Sequence, residues 1–266
     1  MASRVLTITS GKGGVGKTTA VANIAVALAA DGQKVACIDG DIGLRNLDVV
    51  MGLENRIVYD LVDVIEGRCR LRQAMIRDKH FQELYLIPAA QTRDKSAVSP
   101  DDMQRLCDEL RSEVDWILLD SPAGIERGFR NAIAPADEAI VVTNPEVSAV
   151  RDADRVIGLL EAEEKHSVSL LINRLNPAMV RSHDMLSAED VLDLLAVKLI
   201  GIVPEDENVI VATNRGTPIV LDDRSRAGRA FRNVARRLQG DEVQFLDMDY
   251  QSNLWSRISR LAGGRR

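Results

Sequence analysis

Short runs that are apolar through most of their length recur along the chain. Between them, apolar residues fall at helical spacing. The runs at 4–9 (RVLTIT), 34–39 (KVACID), 84–88 (LYLIP), 116–120 (WILLD), 139–143 (AIVVT), 169–173 (SLLIN) and 199–204 (LIGIVP) have strand length. Such runs predict strands covered on both faces, as in a parallel sheet. Helical patterns intervene. One spans 17–30 and stops at Asp31-Gly32, and one opens at Ser99 with Pro100 at the first helical position. Others run from about Val147 to Glu163, from Ser187 with Asp190 three residues on as a capping box, and over about 225–238. Strands alternating with helices predict an α/β fold, a mostly parallel β-sheet flanked by helices on both faces. No repeat or linker interrupts the pattern. We read one domain over 1–240, an acidic hinge over 241–250 and a tail over 251–266.

Composition narrows the function classes. Of 266 residues, 45% are hydrophobic but only 3% aromatic, so the core is aliphatic. A net charge of −6 argues against a polyanion-binding molecule as a whole and still allows a local basic patch. Cys37, Cys69 and Cys107 form no C-x-x-C pair and His80, His166 and His183 are scattered, which disfavours a disulfide framework or a zinc site. No signal peptide is visible, and the longest apolar run, 20–30, carries Asn23 and is too short to span a bilayer.

The chemistry concentrates at 10–19, SGKGGVGKTT, which fits the phosphate-loop pattern G-x-x-x-x-G-K-[ST] at Gly11, Gly16, Lys17 and Thr18. It follows a predicted strand and opens a predicted helix, the arrangement of a P-loop NTPase fold. Backbone N–H groups of Gly13, Gly14, Val15, Gly16 and Lys17 can cradle phosphate oxygens there, with Thr19 beyond them in the helix. Lys17 reaches the β- and γ-phosphates and the Thr18 hydroxyl ligates Mg²⁺. WILLD ends in Asp120, placed to hold the metal through water, and Gly124 of the following SPAG can meet a γ-phosphate. After the second strand come Asp39 and Asp41; we read Asp41 as the residue that orients the attacking water at the metal side. No glutamate adjoins Asp120, which points to slow hydrolysis. Lys12 is a second lysine that the loop pattern does not require.

GKGGVGKTT is also the K-G-G-x-G-K-[ST] form, and with DGDIGLRNLDVVMG, PAAQTRDK, DSPAGIE, DEAIVVTNPEVSAVRDADR, HDMLSAEDVL and GIVPEDENVI it resembles the ParA/MinD family of deviant Walker A ATPases over about 3–221, its septum-site members most closely. The resemblance implies ATP and Mg²⁺ as cofactors and an ATP-driven homodimer with nucleotide between the subunits. It implies that Lys12 reaches the partner's phosphates, that Glu146 and Asp152 lie at the dimer interface, and that Ser148, Arg151 and Asp154 bind a MinC-like division inhibitor and a MinE-like ATPase activator. Asn173, Pro204 and Asp206 match adenine-binding segments. The implied location is cytoplasmic and peripheral, on the inner (plasma) membrane.

The tail fits that location. On a helix, Leu254, Trp255, Ile258 and Leu261 share a face flanked by Arg257 and Arg260, with Arg265 and Arg266 beyond and no acid after Gln251. This reads as an interfacial anchor for anionic lipids. A competing basic feature is the row Arg224, Arg226, Arg229, Arg232, Arg236 and Arg237, with Ala227, Phe231, Val234 and Leu238 as its buried face. We read the arginines as mostly a solvated face and expect no nucleic acid; the alternative is a DNA-binding partition ATPase. An iron–sulfur protein is rejected, because the cysteines lie in a core strand, a helix and a remote loop.

Overall fold

The computed structural model describes residues 3–248. Its elements, in chain order, are β1 (Arg4–Thr9), α1 (Lys17–Ala30), β2 (Val35–Asp39), α2 (Leu47–Met51), α3 (Leu61–Ile65), α4 (Leu71–Ala74), β3 (Ile76–Arg77), β4 (Leu84–Ile87), α5 (Pro100–Leu110), β5 (Trp116–Asp120), α6 (Arg127–Ile133), β6 (Glu138–Thr143), α7 (Val147–Ala162), β7 (Val168–Leu175), α8 (Pro177–Arg181), α9 (Ala188–Leu195), β8 (Lys198–Pro204), α10 (Asn208–Asn214) and α11 (Arg226–Leu238). The sheet runs in the order β3-β4-β2-β5-β1-β6-β7-β8, and every pairing is parallel except β3 with β4. The antiparallel β3 was not expected: two residues are too few to show a period.

The strands read as apolar runs because both faces are covered. Leu6, Ile8, Cys37, Leu118 and Ile140 point to a layer containing α1 and α11, while Val5, Ile38, Ile117 and Leu119 point to α3 and α5 on the other face. Val141, Leu170 and Ile202 meet α6, α7 and α9 on that second face. α1 is almost wholly buried, so its pattern is apolar all round and not a stripe. The expected caps form: Ser99 and Ser187 each close a capping box, with Asp102 and Asp190 respectively.

β1 lies between β5 and β6, and Asp39 of β2 is the register partner of Asp120 of β5. The loops that leave the C-terminal ends of these strands therefore converge at a point where the strand order diverges, where open α/β sheets bind ligands.

The segment read as an acidic hinge is, over 241–248, held against the domain. Arg237 donates to Ile200 O and to Val243 O, each at 3.0 Å, and lies 4.0 Å over the Phe245 ring. Arg226 bonds Asp247 O, and Met248 is fully buried. The acidic side chains of this segment obscured the backbone and aromatic contacts that dock it. The tail residues Leu254, Trp255, Arg257, Ile258, Arg260 and Leu261 lie outside the described residues. Among the described residues, no helix is long and apolar enough to cross a membrane.

Candidate nucleotide site

The loop between β1 and α1 is shaped by two glycines. Gly16 caps α1 at φ 102°, and a Cβ there would lie 2.3 Å from Asn173 Nδ2. A Cβ on Gly11 would lie 2.2 Å from the Asp152 carbonyl oxygen of α7. No side chain caps α1 and no acid occupies its first turn, so the positive end of the helix is open to an anion. Gly16→Ala combines a left-handed backbone cost of about 1–2 kcal/mol with that clash. We expect nucleotide affinity to fall at least about 100-fold, as read by titration with a fluorescent ATP analogue, with the fold retained by circular dichroism.

Lys17 is buried, and burial lowers its pKa against the opposing pull of Asp120 and Asp41. Asp120 is pushed up to about 8, by burial first and then by the Asp39 charge, while a Thr18 side-chain hydrogen bond and Lys17 oppose this. The structure separates Asp39 from Asp41. Both oxygens of Asp39 are occupied: Oδ1 accepts from Asp41 N at 3.0 Å and Oδ2 from Asn46 N and Leu47 N, each at 3.1 Å. Asp39 thus shapes the loop. Oδ1 of Asp41 and Oδ1 of Asp120 are buried without a hydrogen-bond donor. A hydroxyl and two underused carboxylates are hard oxygen donors of the kind Mg²⁺ takes alongside phosphates and water. Among the described residues no three His, Cys, Asp or Glu side chains form a cage that could hold a metal without such help.

A cleft beside the loop is lined by Gly16, Thr19, Asn173, Pro204, Asp206 and Phe231. Asn173 donates Nδ2 to Val15 O at 2.7 Å, which locks the phosphate loop to β7. A carbonyl only accepts, so this bond fixes the amide orientation and leaves Oδ1 as an acceptor. Asp206 borders the cleft, but its carboxylate braces the wall, accepting from Ser225 Oγ at 2.8 Å and from Asn208 N at 3.0 Å. Of the segment expected to meet a base, Pro204 lines the cleft without such an engaged side chain.

Lys12 turns away from its own loop. Nζ lies 3.3 Å from Glu146 Oε2 and 3.2 Å from Ser148 Oγ, and the side chain is about half exposed. With Asp152 packed on Gly11, Lys12, Glu146, Asp152 and Ser148 share one surface. The residues expected to contact a second subunit and those expected to bind partners thus adjoin one another at Ser148, while Arg151 and Asp154 are exposed farther along α7. Leu44, Ile125 and Val147 are exposed on the segments that follow β2, β5 and β6. Sequence patterning missed them, because Leu44 and Ile125 lie in loops and Val147 opens α7 outside its buried stripe.

The arginine row is mostly exposed, as expected: Arg224, Arg226, Arg229 and Arg236 are exposed, and Arg232 and Arg237 are half-buried. Arg232 pairs with Asp223 at 3.3 Å and bonds Val220 O, Arg236 pairs with Asp241 at 3.0 Å, and Arg226 and Arg237 hold the 241–248 segment. Local acids and carbonyls engage these four guanidiniums within that solvated face. Cys37 and Cys107 are buried and their thiols are shifted up by burial, Cys107 to about 12.

A glycine-rich loop between a central strand and a buried helix, with acids on two neighbouring strands, defines a P-loop nucleotide-binding protein. The profile of the CobQ/CobB/MinD/ParA nucleotide-binding domain matches residues 6–219. The septum site-determining protein MinD of Synechocystis is 55% identical over 98% of this chain and 100% of its own length. The MinC:MinD cell division complex of Aquifex aeolicus superposes with a TM-score of 0.87 at 48% identity, covering 92% of this chain and 99% of that one. MinD of Pyrococcus horikoshii, solved with Mg-ADP, gives 0.80 at 32% identity, covering 89% and 96%. The chain belongs to the MinD family of septum site-determining proteins.

Proposed function

We propose that the chain is an ATP-hydrolysing switch that dimerises with ATP and holds the cytoplasmic face of the inner membrane by its tail. There it recruits a MinC-like inhibitor of division-ring assembly, until a MinE-like activator stimulates hydrolysis and releases it. The observation that carries this reading is Lys12: a lysine inside a phosphate loop whose ammonium is directed outward onto Glu146 and Ser148. Two nucleotides face to face bring triphosphates together, and a cation from each neighbour offsets that repulsion and the charge growing on the γ-phosphoryl group.

The base is read by Asn173. With its NH₂ group held by Val15 O, the remaining oxygen suits the amino group of adenine and opposes the carbonyl of guanine. Lys17 and the N-terminus of α1 bind phosphate, and Asp41 orients the attacking water. Mg²⁺, when bound, neutralises phosphate charge; Thr18, Asp120 and Asp41 would hold it. The Mg-ADP in the Pyrococcus horikoshii protein and the MinC in the Aquifex aeolicus complex support the same cofactor and a similar partner here.

Weak tails make a switchable anchor. Each arginine near an anionic surface contributes about 1 kcal/mol, so a single tail holds reversibly. A dimer presents two, and the second binds at high effective concentration. We expect pelleting with anionic liposomes to require ATP, and truncation after Asp249 to reduce it to background while leaving ATP binding unchanged. Liposome binding by the truncated chain would contradict the anchor; binding to duplex DNA in a gel shift with ATP would favour a partition ATPase instead.

A further inference from the structure

We propose that the folded domain adds its own contact to an anionic bilayer: Arg224 and Arg229, at the N-terminal end of α11, meet lipid headgroups beside the root of the tail. The inference rests on the tail anchor proposed above and extends the membrane surface onto the domain.

The root of the tail is fixed in two ways. The 241–248 segment runs back along α11, from Arg237, which donates to Val243 O at 3.0 Å, to Arg226, which bonds Asp247 O. Met248, fully buried, then pins the chain. The tail therefore leaves from the N-terminal end of α11, where Ser225 donates to Asp206 at 2.8 Å in the wall of the nucleotide cleft. Leu254, the first apolar residue of the amphipathic stretch, follows Met248 by six positions. Six residues span at most about 20 Å. The field of an anionic leaflet decays over about 8–10 Å. The tether thus permits the domain to touch the surface, and the charge of the domain decides whether it does.

That charge is what the fold leaves unused. Arg226, Arg232, Arg236 and Arg237 are engaged within the domain. Arg224 and Arg229 are exposed, and among the described residues neither guanidinium has a hydrogen bond or an ion pair. They bracket Arg226, the residue that holds the root, and Arg226 and Arg229 share a helix face at i, i+3. Of the neighbouring acids, Asp223 pairs with Arg232 at 3.3 Å, and Asp222 accepts from Arg224 N at 2.9 Å. The hollow lined by Arg224 and Arg226 also contains Glu205, Asp206 and Asp222, which disfavours a closed pocket for a single phosphate. Two outward guanidiniums without an enclosing wall fit a plane of phosphates, each able to take one bidentately.

The test uses the full-length chain with ATP and co-sedimentation with vesicles of phosphatidylglycerol and phosphatidylcholine. We expect Arg224→Gln combined with Arg229→Gln to weaken vesicle binding about tenfold at ~0.1 M salt. ATP Kd and ATP-dependent dimerisation should be unchanged, because both positions are exposed and make no contact within the fold. Arg224→Lys with Arg229→Lys should keep most of the parental affinity, and the gap between the Gln variant and the parent should close at about 1 M salt. Equal vesicle binding by the Gln variant and the parent overturns the proposal; if truncation after Asp249 still removes binding, the tail anchor stands alone. Undiminished binding by the truncated chain overturns the tail reading and this inference with it. Loss of duplex-DNA binding in a gel shift, with vesicle binding intact, overturns the proposal in favour of a nucleic-acid contact.

Discussion

A Lys12→Ala chain is expected to bind ATP with a Kd within about threefold of the parent, yet to lose stimulated hydrolysis by about 10³-fold, the effect of removing a transition-state cation supplied in trans. The asymmetry follows from where Lys12 points. Its Nζ is on Glu146 and Ser148, so little of the binding energy within one subunit depends on it. The groups proposed to bind phosphate within one subunit, Lys17 and the α1 N-terminus, are unchanged. Equilibrium binding of a fluorescent ATP analogue reads the first quantity, and light scattering with ATP reads the loss of dimer. Phosphate release with activator and vesicles reads the loss of turnover.

Asp41→Ala is expected to give the complementary defect: ATP binding and dimerisation persist, and hydrolysis falls by about 10²–10⁴-fold, the range for a positioned acid or base. Such a chain should remain on anionic vesicles after activator is added, measured by co-sedimentation over time. Asp39→Ala should behave differently, because three backbone N–H groups, that of Leu47 fully buried, lose their acceptor. We expect it to lower stability by about 1–3 kcal/mol or more in denaturant titration, whereas Asp41→Ala leaves stability nearly unchanged. Equal hydrolysis by the Asp41→Ala and parent chains would assign the attacking water to another group.

The strands were legible because burial on both faces leaves an apolar run with no competing reading, as at WILLD. Helices of eight residues or more were legible from period and caps, as at α5 and α9. α2, α3, α4, α6, α8 and α10 were not, because four to seven residues complete too little of a period to be told from loop. The phosphate loop is local in sequence, and its residues could be named from spacing. The setting of Lys12 is not local: Glu146 is 134 positions away, and only the packing of α7 on Gly11 brings them together. The engaged carboxylate of Asp206 and the open one of Asp41 likewise depend on neighbours that spacing does not reveal. The two aspartates at the end of β2 and just beyond it look alike as letters, and the backbone donors around Asp39 distinguish them.

The central claim is that Lys12 acts across the dimer, and mixing the two inactive chains tests it most directly. In a mixed dimer of Lys12→Ala and Asp41→Ala subunits, the first subunit keeps its own Asp41 and receives Lys12 from its neighbour. One intact site per mixed dimer should restore about a quarter of the parental stimulated ATPase rate in an equimolar mixture, by random pairing in a two-fold dimer. If Lys12 served its own subunit, every site would lack one of the two residues, and a mixture no more active than either chain alone would contradict the account.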